Sequence, residues 1–415
     1  MPEKRYRVLL VSSHPVQYAS PLFRRMEQHP NLDITVAFCS LQGAEAGIDP
    51  DFGVEVQWDI PLLNGFRWVL IPNKSLRPGL GRFFGLFNPG LWTLVNQAEF
   101  DAVVVYTGYM CASFWIVAAA AKLRKIALLF GTDATSLAPR SYNRLKVEVK
   151  RKVLPHIFRM ATVALAPSTA TADYLRSLCV REDRIVTIPF VVDNDFWTIR
   201  AAEVNRKQVR ATWGVGETEP VVLFCAKLQP WKRPQDALKA FAQANIQNAR
   251  LIMAGEGPMR AALEAEARQL KIADRVKFLG FVNQSQLPAL YTSADVMVLP
   301  SEYDPCPVVV CEAMLCGCPV ILSDKIRGRF ELVQPGETGF IYPCRDVQAL
   351  GKVLRGALLD INTLGQIGRA AANRMETWSP REHIQSLLQA IKLAVRVQAR
   401  SSPDRGGIVT QNGAN

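Results

Sequence analysis

Two carboxylates, Asp304 and Glu312, stand eight positions apart in the segment LPSEYDPCPVVVCEAMLCGCPVIL, which runs from residue 299 to residue 322. A carboxylate accepts several hydrogen bonds and donates none when ionised. One such group binds the vicinal hydroxyls of a sugar ring. Two of them at this spacing predict a site that holds two sugar rings of one ligand.

The same segment predicts the element that positions the second acid. Proline belongs in a loop or in the first helical turn, so a helix begins at the prolines of residues 305–307 and ends near Gly317. Free N–H groups and the positive end of the helix dipole are then available to a phosphate. We therefore expect the start of the helix, at Pro307, Val308 and Val309, to bind the ligand as well.

A cluster of cations follows an apolar run in the segment FCAKLQPWKRP, residues 224–234. Lys227 and Lys232 are its ammonium groups, and Arg233 is expected to assist them. When a bond to a diphosphate breaks, the departing group gains negative charge, and two cations in a water-poor cleft stabilise that charge most in the transition state. A solvated basic turn is the alternative interpretation of this loop taken alone.

Together these segments resemble the signatures of retaining glycosyltransferases of family 4, which have the GT-B fold. The family carries two glutamates separated by seven residues, whereas this chain has Asp304 at the first position, and Glu302 is a rival for that role. The resemblance implies that Asp304 holds the transferred sugar and that Glu312 holds the nucleotide ribose. The family also has Arg and Lys after a glycine where this chain has Lys227 and Lys232 after Ala226.

Two weaker segments occur in the order that the family shows. Gly255 and Gly257 form a Gly-x-Gly turn after a predicted strand, and such a turn lets backbone approach a ligand closely. Phe281 and Val282 follow the next strand, and the resemblance implies that this loop meets the nucleobase through main-chain groups. Each segment by itself is also explained by an ordinary tight turn.

In the first half of the chain, the loop after the first strand contains His14, Gln17 and Tyr18. Ligand sites of α/β proteins form at this end of the sheet, so these residues are candidates for the acceptor or sugar side, together with Asp133. A structural role explains the histidine equally well, and a helix N-cap explains Asp133 nearly as well. The family's usual glycines are absent from the first loop.

Elements that would position these residues alternate along the chain as short β-branched runs and helical patterns, which indicates parallel α/β sheets. Strands are predicted at residues 7–11, 34–38, 102–106, 126–130, 162–166 and 185–188, and again at 221–225, 251–254, 276–279, 296–299, 320–322 and 340–342. The predicted fold is α/β, with two Rossmann-like doubly wound domains of the GT-B type facing across a cleft. Its parts are an acceptor domain (1–195), a linker (196–217), a donor domain (218–378), a helix crossing back (379–398) and a flexible tail (399–415).

Composition narrows the class of protein. The 415 residues carry a net charge of +12, and 49% of them are hydrophobic, which excludes collagen-like and wholly disordered chains. Ten Lys or Arg and two acidic residues fall between residues 122 and 159, where a helix at 142–160 interleaves charge with apolar residues. This helix fits an anionic membrane surface or an ordinary solvated face. Nucleic-acid binding rests on charge alone and is not expected.

An apolar run and the cysteines predict where the protein acts and whether it binds a metal. The uncharged run 102–121 is long enough to span a bilayer, but its Thr107, Gly108 and Tyr109 favour a βα unit. Nine cysteines in no even framework, with no leader pattern at the N-terminus, predict a cytoplasmic protein, acting at the inner face of the membrane. Cysteines 306, 311, 316 and 318 match no usual zinc spacing, so no metal is expected.

The resemblance therefore implies transfer of a sugar from a nucleoside-diphosphate sugar, such as a UDP- or GDP-sugar, to a hydroxyl of a glycan or lipid-linked acceptor. It also implies retention of configuration, a front-face mechanism, metal independence and no cofactor beyond the donor itself. The alternative is a non-catalytic sugar-nucleotide-binding or scaffold protein of the same fold.

Overall fold

The computed structural model describes residues 4–48, 53–137, 143–305 and 307–401. Within these ranges the chain forms two parallel sheets with helices on both faces, which confirms the predicted GT-B architecture. The elements of the first domain are β1 (Tyr6–Ser12), α1 (Ala19–Glu27), β2 (Leu32–Phe38), β3 (Gly47–Ile48), β4 (Glu55–Val56), β5 (Trp68–Leu70), α2 (Gly90–Gln97), β6 (Ala102–Val105), α3 (Ala112–Arg124), β7 (Ala127–Gly131), α4 (Arg144–Phe158), β8 (Val163–Ala166), α5 (Thr169–Ser177) and β9 (Ile185–Thr187).

Seven described strands of the first domain form a parallel sheet in the order β5-β2-β1-β6-β7-β8-β9, and β3 and β4 pair with each other in antiparallel fashion. The central strands β6 and β8 are buried at every position because helices cover both faces of the sheet. Alternate side chains enter two separate hydrophobic cores, one on each face. The order reverses next to β1, so the loop after β1 opens at the edge where ligands of such sheets bind.

The second domain is preceded by α6 (Asn194–Ala202) and α7 (Arg206–Trp213). Its own elements are β10 (Val221–Cys225), α8 (Pro234–Ala244), β11 (Arg250–Ala254), α9 (Arg260–Gln269), β12 (Val276–Gly280), α10 (Leu287–Ser293), β13 (Val296–Leu299), α11 (Val308–Leu315), β14 (Val320–Ser323), α12 (Arg329–Leu332), β15 (Phe340–Tyr342), α13 (Val347–Leu359) and α14 (Ile361–Arg374), after which α15 (Pro380–Ser401) follows. The described strands pair in parallel in the order β12-β11-β10-β13-β14-β15.

Residues 196–217, which the sequence predicts as a linker, contain most of α6 and all of α7. Trp197 is fully buried in the core of the second domain. Arg210 is also buried, where it donates to Asp295 at 2.7 Å and to backbone carbonyls. These contacts make the segment part of the second domain's packed layer.

The long helix α15 follows the second domain and packs on the first. Its apolar face, which includes Leu387, Ile391 and Ala394, is buried in the core on one face of the first sheet, where the helix packs mainly on β7 and β8. At the crossing point the Trp378 indole N–H donates to the carbonyl of Phe190 at 2.7 Å. The described helix ends at residue 401, so the predicted tail lies outside the described residues from 402 onward.

The uncharged run 102–121 divides into β6 and the start of α3, as the βα interpretation predicts. Among the helices in the described ranges, none combines the length and hydrophobicity that crossing a bilayer requires.

Candidate active site

A cleft of about 810 Å³ lies between the carboxyl ends of the two sheets. Both domains contribute to its walls, because β1 and β7 of the first domain and β10, β11, β12 and β13 of the second all end there. Thirteen of the residues predicted from sequence line it: His14, Gln17, Asp133, Lys227, Lys232, Gly255, Phe281, Val282, Asp304, Pro307, Val308, Val309 and Glu312.

Lys232 and Asp304 form an ion pair inside this cleft, with Nζ 2.5 Å from Oδ2. The lysine lies on a short turn after β10, and the aspartate lies on the loop after β13. Their side chains are 20% and 9% exposed, so the pair is largely shielded from water. The ion pair holds the Lys232 ammonium in the lining of the cleft, where it is available to a bound anion.

Arg233, which the sequence places beside the two lysines, is directed away from the cleft lining. Its backbone is left-handed, with φ at 52°, because it caps the start of α8. The guanidinium therefore binds Asp236 at 2.5 and 2.9 Å and Glu302 at 2.8 Å. Glu302 also accepts from Arg345 at 2.5 Å, so this rival of Asp304 is held in a structural network behind the cleft.

Glu312 is 3% exposed on α11, where it is buried beside Tyr291 and Gln284. Burial raises its pKa from 4.5 to about 7, although hydrogen bonds from the side chains of Tyr291 and Gln284 oppose the rise. The Tyr291 hydroxyl donates to Oε2 at 2.8 Å. The carboxyl is thus oriented by its neighbours, with Glu312 itself and Gln284 both on the cleft wall.

Of the two glycines after β11, only one lines the cleft. Gly255 (φ 135°) lines the cleft, and a Cβ there would collide with the carbonyl oxygen of Ala226. Gly257 (φ 152°) does not line the cleft; a Cβ would stand 2.6 Å from the carbonyl oxygen of Leu228. Both glycines therefore let the β10 and β11 loops run against each other. Close packing of these loops, rather than contact with a ligand, explains Gly257.

On the first domain's side, His14 and Gln17 line the cleft from the loop after β1. The Ser13 hydroxyl lies 2.8 Å from Nδ1 of His14 and fixes the ring. Asp133 lies beyond the end of β7 and is exposed. Tyr18 is turned from the cleft, because its ring packs on Phe190 with centroids 4.9 Å apart.

Several residues of the site carry no signal in the sequence. Tyr291 lies within the short helix α10, whose sequence LPALYTS shows no site motif, and its contact with Glu312 indicates its role. Gln284 and Trp58 lie in connections without a periodic pattern, and both line the cleft. Trp231 and Tyr303 also line it, and they are neighbours of predicted site residues. An aromatic residue beside a predicted catalytic group is the signal that could have identified these last two.

Metal ligands do not cluster in this site. Among the described residues, no group of three His, Cys, Asp or Glu side chains is arranged to hold a metal ion. Cys311, Cys316 and Cys318 are buried free thiols packed in the hydrophobic core. Burial raises the pKa of the Cys311 thiol to about 12. Cys306 lies outside the described residues.

Two family models match the chain. "Glycosyl transferases group 1" matches residues 205–374, and "Glycosyl transferase 4-like domain" matches residues 17–190. The first match spans the whole second sheet, and the second spans the first sheet except β1. The chain belongs to the GT-B glycosyltransferases of the family 4 type, as the resemblance implied.

Curated relatives match over part of their length. An uncharacterized glycosyltransferase of Methanocaldococcus jannaschii is 35% identical over 164 residues, which are 39% of this chain and 42% of the relative. The N-acetyl-alpha-D-glucosaminyl L-malate synthase of Bacillus anthracis is 27% identical over 223 residues, 53% of this chain and 54% of the relative. The chain thus spans about half the length of the curated relatives it matches.

Solved structures share the fold across nearly the whole chain. Anabaena HepE, solved in complex with UDP and glucose, has a TM-score of 0.71 at 19% identity, and the match covers 94% of this chain and all of HepE. The sucrose-phosphate synthase of Thermosynechococcus elongatus has a TM-score of 0.68 at 20% identity, covering 96% and 100%. At 19–20% identity, these similarities show a shared fold and nothing further.

Proposed function

We propose that the protein transfers a sugar from a nucleoside-diphosphate sugar to a hydroxyl of a glycan or lipid-linked acceptor, with retention of configuration and without a bound metal. One observation carries this proposal. Two ammonium groups and two carboxylates, from two loops and one helix of the second domain, converge in a cleft that the first domain completes.

The lysines support the leaving-group role. Lys227 and Lys232 both line the cleft beside the N-terminal end of α11, so an incoming diphosphate meets two positive charges and free backbone N–H groups. As the bond from the sugar's anomeric carbon to the phosphate oxygen breaks, the charge on that oxygen grows, and these groups stabilise it. The lysines thereby take the place that a divalent cation has in other sugar transferases.

The carboxylates support the binding of two rings. Glu312, oriented by Tyr291, accepts hydrogen bonds from the ribose hydroxyls, and Asp304 accepts them from the transferred sugar. Asp304 is ion-paired with Lys232, which lowers its reactivity as a nucleophile. A front-face reaction is the resulting proposal: the leaving phosphate oxygen takes the proton of the acceptor hydroxyl, whose oxygen bonds to the anomeric carbon on the same face.

UDP is the first donor nucleotide to test, since HepE was solved with UDP. The experiment incubates the protein with UDP-, GDP- and ADP-sugars and measures donor hydrolysis or transfer. Lys232→Ala, Asp304→Ala and Glu312→Ala are each expected to abolish turnover while the circular dichroism spectrum stays unchanged. Turnover retained in Lys232→Ala would contradict the leaving-group role. Lys239→Ala is the matched control, because Lys239 on α8 pairs with Glu266 on α9, away from the cleft. Addition of EDTA is expected to leave the rate unchanged.

A membrane-bound acceptor is supported by the outer face of α4. Leu145, Val149 and Val153 form a stripe on this helix and are 75%, 53% and 46% exposed. Exposed basic side chains flank the stripe, among them Lys146 and Lys152. An apolar stripe bordered by cations fits an anionic bilayer surface.

Liposome flotation tests this contact. Binding to phosphatidylglycerol vesicles is expected at low salt and is expected to weaken at high salt or with phosphatidylcholine. Leu145→Ser combined with Val149→Ser should reduce flotation, whereas Ile199→Ser, a comparably exposed residue on α6, should not. Equal flotation of the α4 variant and the wild type would contradict the contact.

A non-catalytic sugar-nucleotide-binding protein is the second candidate. It is motivated by the departures at Lys227, Asp304 and the first loop, where the family has arginine, glutamate and glycines. Tight nucleotide binding without hydrolysis or transfer, across all donors and acceptors tried, would favour it over the enzyme.

A further inference from the structure

A short segment of the first domain, residues 57–59, crosses to the second domain at one end of the cleft. The side-chain amide of Asn283 donates to the carbonyl of Gln57 at 2.7 Å. The backbone N–H of Asp59 donates to Oδ1 of Asn283 at 3.3 Å. The Asp59 carboxylate accepts from the backbone N–H of Ser285 at 3.1 Å and from the Ser285 hydroxyl. We call residues 57–59 the strap.

Trp58, at the centre of the strap, lies directly over the loop after β12. Its ring centroid is 5.8 Å from that of Phe281, with the planes tilted by 65°. Both rings line the cleft together with Val282 and Gln284. Gln284 in turn hydrogen-bonds Glu312, the group assigned to the ribose. The indole therefore stands at the nucleoside end of the cleft, on the wall that the acceptor domain provides.

We propose that Trp58 binds the nucleoside of the donor, and that the strap's hydrogen bonds to Asn283 and Ser285 hold the indole in place when the cleft is closed. This inference rests on the proposed function. Its physical basis is that an aromatic face packs well on a planar base or a ribose and adds a large apolar surface with few rotatable bonds. The first domain then contributes to donor binding as well as to the acceptor.

The character of the strap contacts suits a reversible closure. Gln57, Asp59 and Ser285 are exposed, so their hydrogen bonds exchange with water and each is weak. A set of weak bonds closes the cleft around a bound donor and releases it after turnover. A permanent domain interface would instead bury a continuous apolar surface, as α15 does against the first domain.

A purely structural role for Trp58 makes a different prediction. If the indole only joined the domains, its removal would lower the melting temperature and leave nucleotide affinity unchanged. A binding role predicts a loss of affinity with little change in melting temperature. The two quantities are measured on the same samples.

The experiment measures binding of UDP, GDP and ADP by isothermal titration calorimetry to the full chain. For the nucleotide that the wild type binds most tightly, Trp58→Ala is expected to raise Kd at least tenfold, and Trp58→Phe to raise it less than threefold. Trp92→Ala is the control, because Trp92 is also a tryptophan of the first domain and does not line the cleft. An unchanged Kd in Trp58→Ala would overturn the proposal.

A second pair of variants tests the strap. Asp59→Ala is expected to raise Kd about threefold to fivefold in the wild-type background and to have no further effect in the Trp58→Ala background, because the strap acts through the indole. Equal effects in both backgrounds would overturn the role of the strap. Failure of the wild type to bind any of the three nucleotides would refute the proposed function itself. Normal wild-type binding with indifferent variants would refute this inference alone.

Discussion

The two sides of the cleft hold their polar residues in different ways. On the second domain's side, Lys232 is paired with Asp304 and Glu312 accepts from Tyr291, and both carboxylates are buried. On the first domain's side, Asp133 is exposed, and His14 and Gln17 lie on a loop that is only partly buried. The second domain thus presents a fixed set of charges, and the first domain presents an adaptable polar wall.

The difference suits separate roles for the two domains, with the donor bound by the second and the acceptor by the first. A diphosphate and a ribose are common to UDP-, GDP- and ADP-sugars, so a rigid and preorganised set of charges suits these donors. Acceptors vary in shape, and loops change without disturbing the sheet that supports them. Substitutions on the two sides are therefore expected to affect different kinetic parameters.

The largest effect is expected from loss of a cation on the rigid side. Lys227→Met should lower kcat about 1,000-fold, since the departing diphosphate loses one of its two stabilising charges. Lys227→Arg should retain activity within about tenfold, because the family carries arginine there. Steady-state kinetics with a saturating donor checks both values, and a kcat within tenfold of wild type for Lys227→Met would contradict the assignment.

Burial of Glu312 leads to a prediction about stability. Its pKa is raised from 4.5 to about 7, so the protonated form is favoured by folding. The free energy of unfolding should therefore fall as pH rises from about 4.5 to about 7 and stay lower above that. From pH 5 to pH 8, the free energy of unfolding of the wild type should fall by about 2 kcal/mol through this group, and that of Glu312→Gln should not. Urea unfolding at the two pH values measures this difference, and parallel pH profiles of the two proteins would contradict it.

A smaller effect is expected from the network behind the cleft. Arg233 links the loop that carries Lys232 to Glu302 of the loop that carries Asp304. Arg233→Met should lower kcat about 30-fold, because the lysine and the aspartate lose their mutual position, and donor KM should change less than threefold. Glu302→Gln should resemble it, and the double variant should be no worse than either alone. Additive losses would show that the two residues act independently.

The smallest effect is expected on the adaptable side. Asp133→Asn should raise the acceptor KM about tenfold and leave donor hydrolysis within twofold of the wild type, because the donor site is intact. His14→Ala should behave alike. Initial rates with the acceptor varied at fixed donor give the first value, and hydrolysis without acceptor gives the second. A loss of donor hydrolysis above tenfold in either variant would contradict the proposed difference between the two sides of the cleft.

The convergence of the proposed donor-binding residues could be predicted from the sequence because of a property of parallel sheets. Lys227, Lys232, Asp304 and Glu312 all follow predicted strands, and the carboxyl ends of parallel strands meet at one edge. Once the strands were located, the convergence of these residues followed. The two-domain fold was predictable for the same reason, since buried parallel strands are continuous apolar runs.

The other features of the site depend on local backbone conformation and on tertiary contacts, which no sequence pattern reveals. Arg233 looks like a third cation in the sequence, but its left-handed backbone turns the side chain toward Asp236. Gly257 looks like a ligand-binding glycine, but it makes room for the carbonyl of Leu228. Trp58 lies in a segment without periodicity, and its position over Phe281 exists only when the domains face each other.

The central claim is that the donor's diphosphate lies between Lys227 and Lys232 while its ribose meets Glu312. A crystal structure of the protein with a bound nucleoside diphosphate tests it most directly. We predict phosphate oxygens within hydrogen-bond distance of the Lys232 Nζ and hydrogen bonds from the ribose hydroxyls to the Glu312 carboxylate. A nucleotide bound outside the cleft, or in it with its phosphates remote from both lysines, would contradict the account.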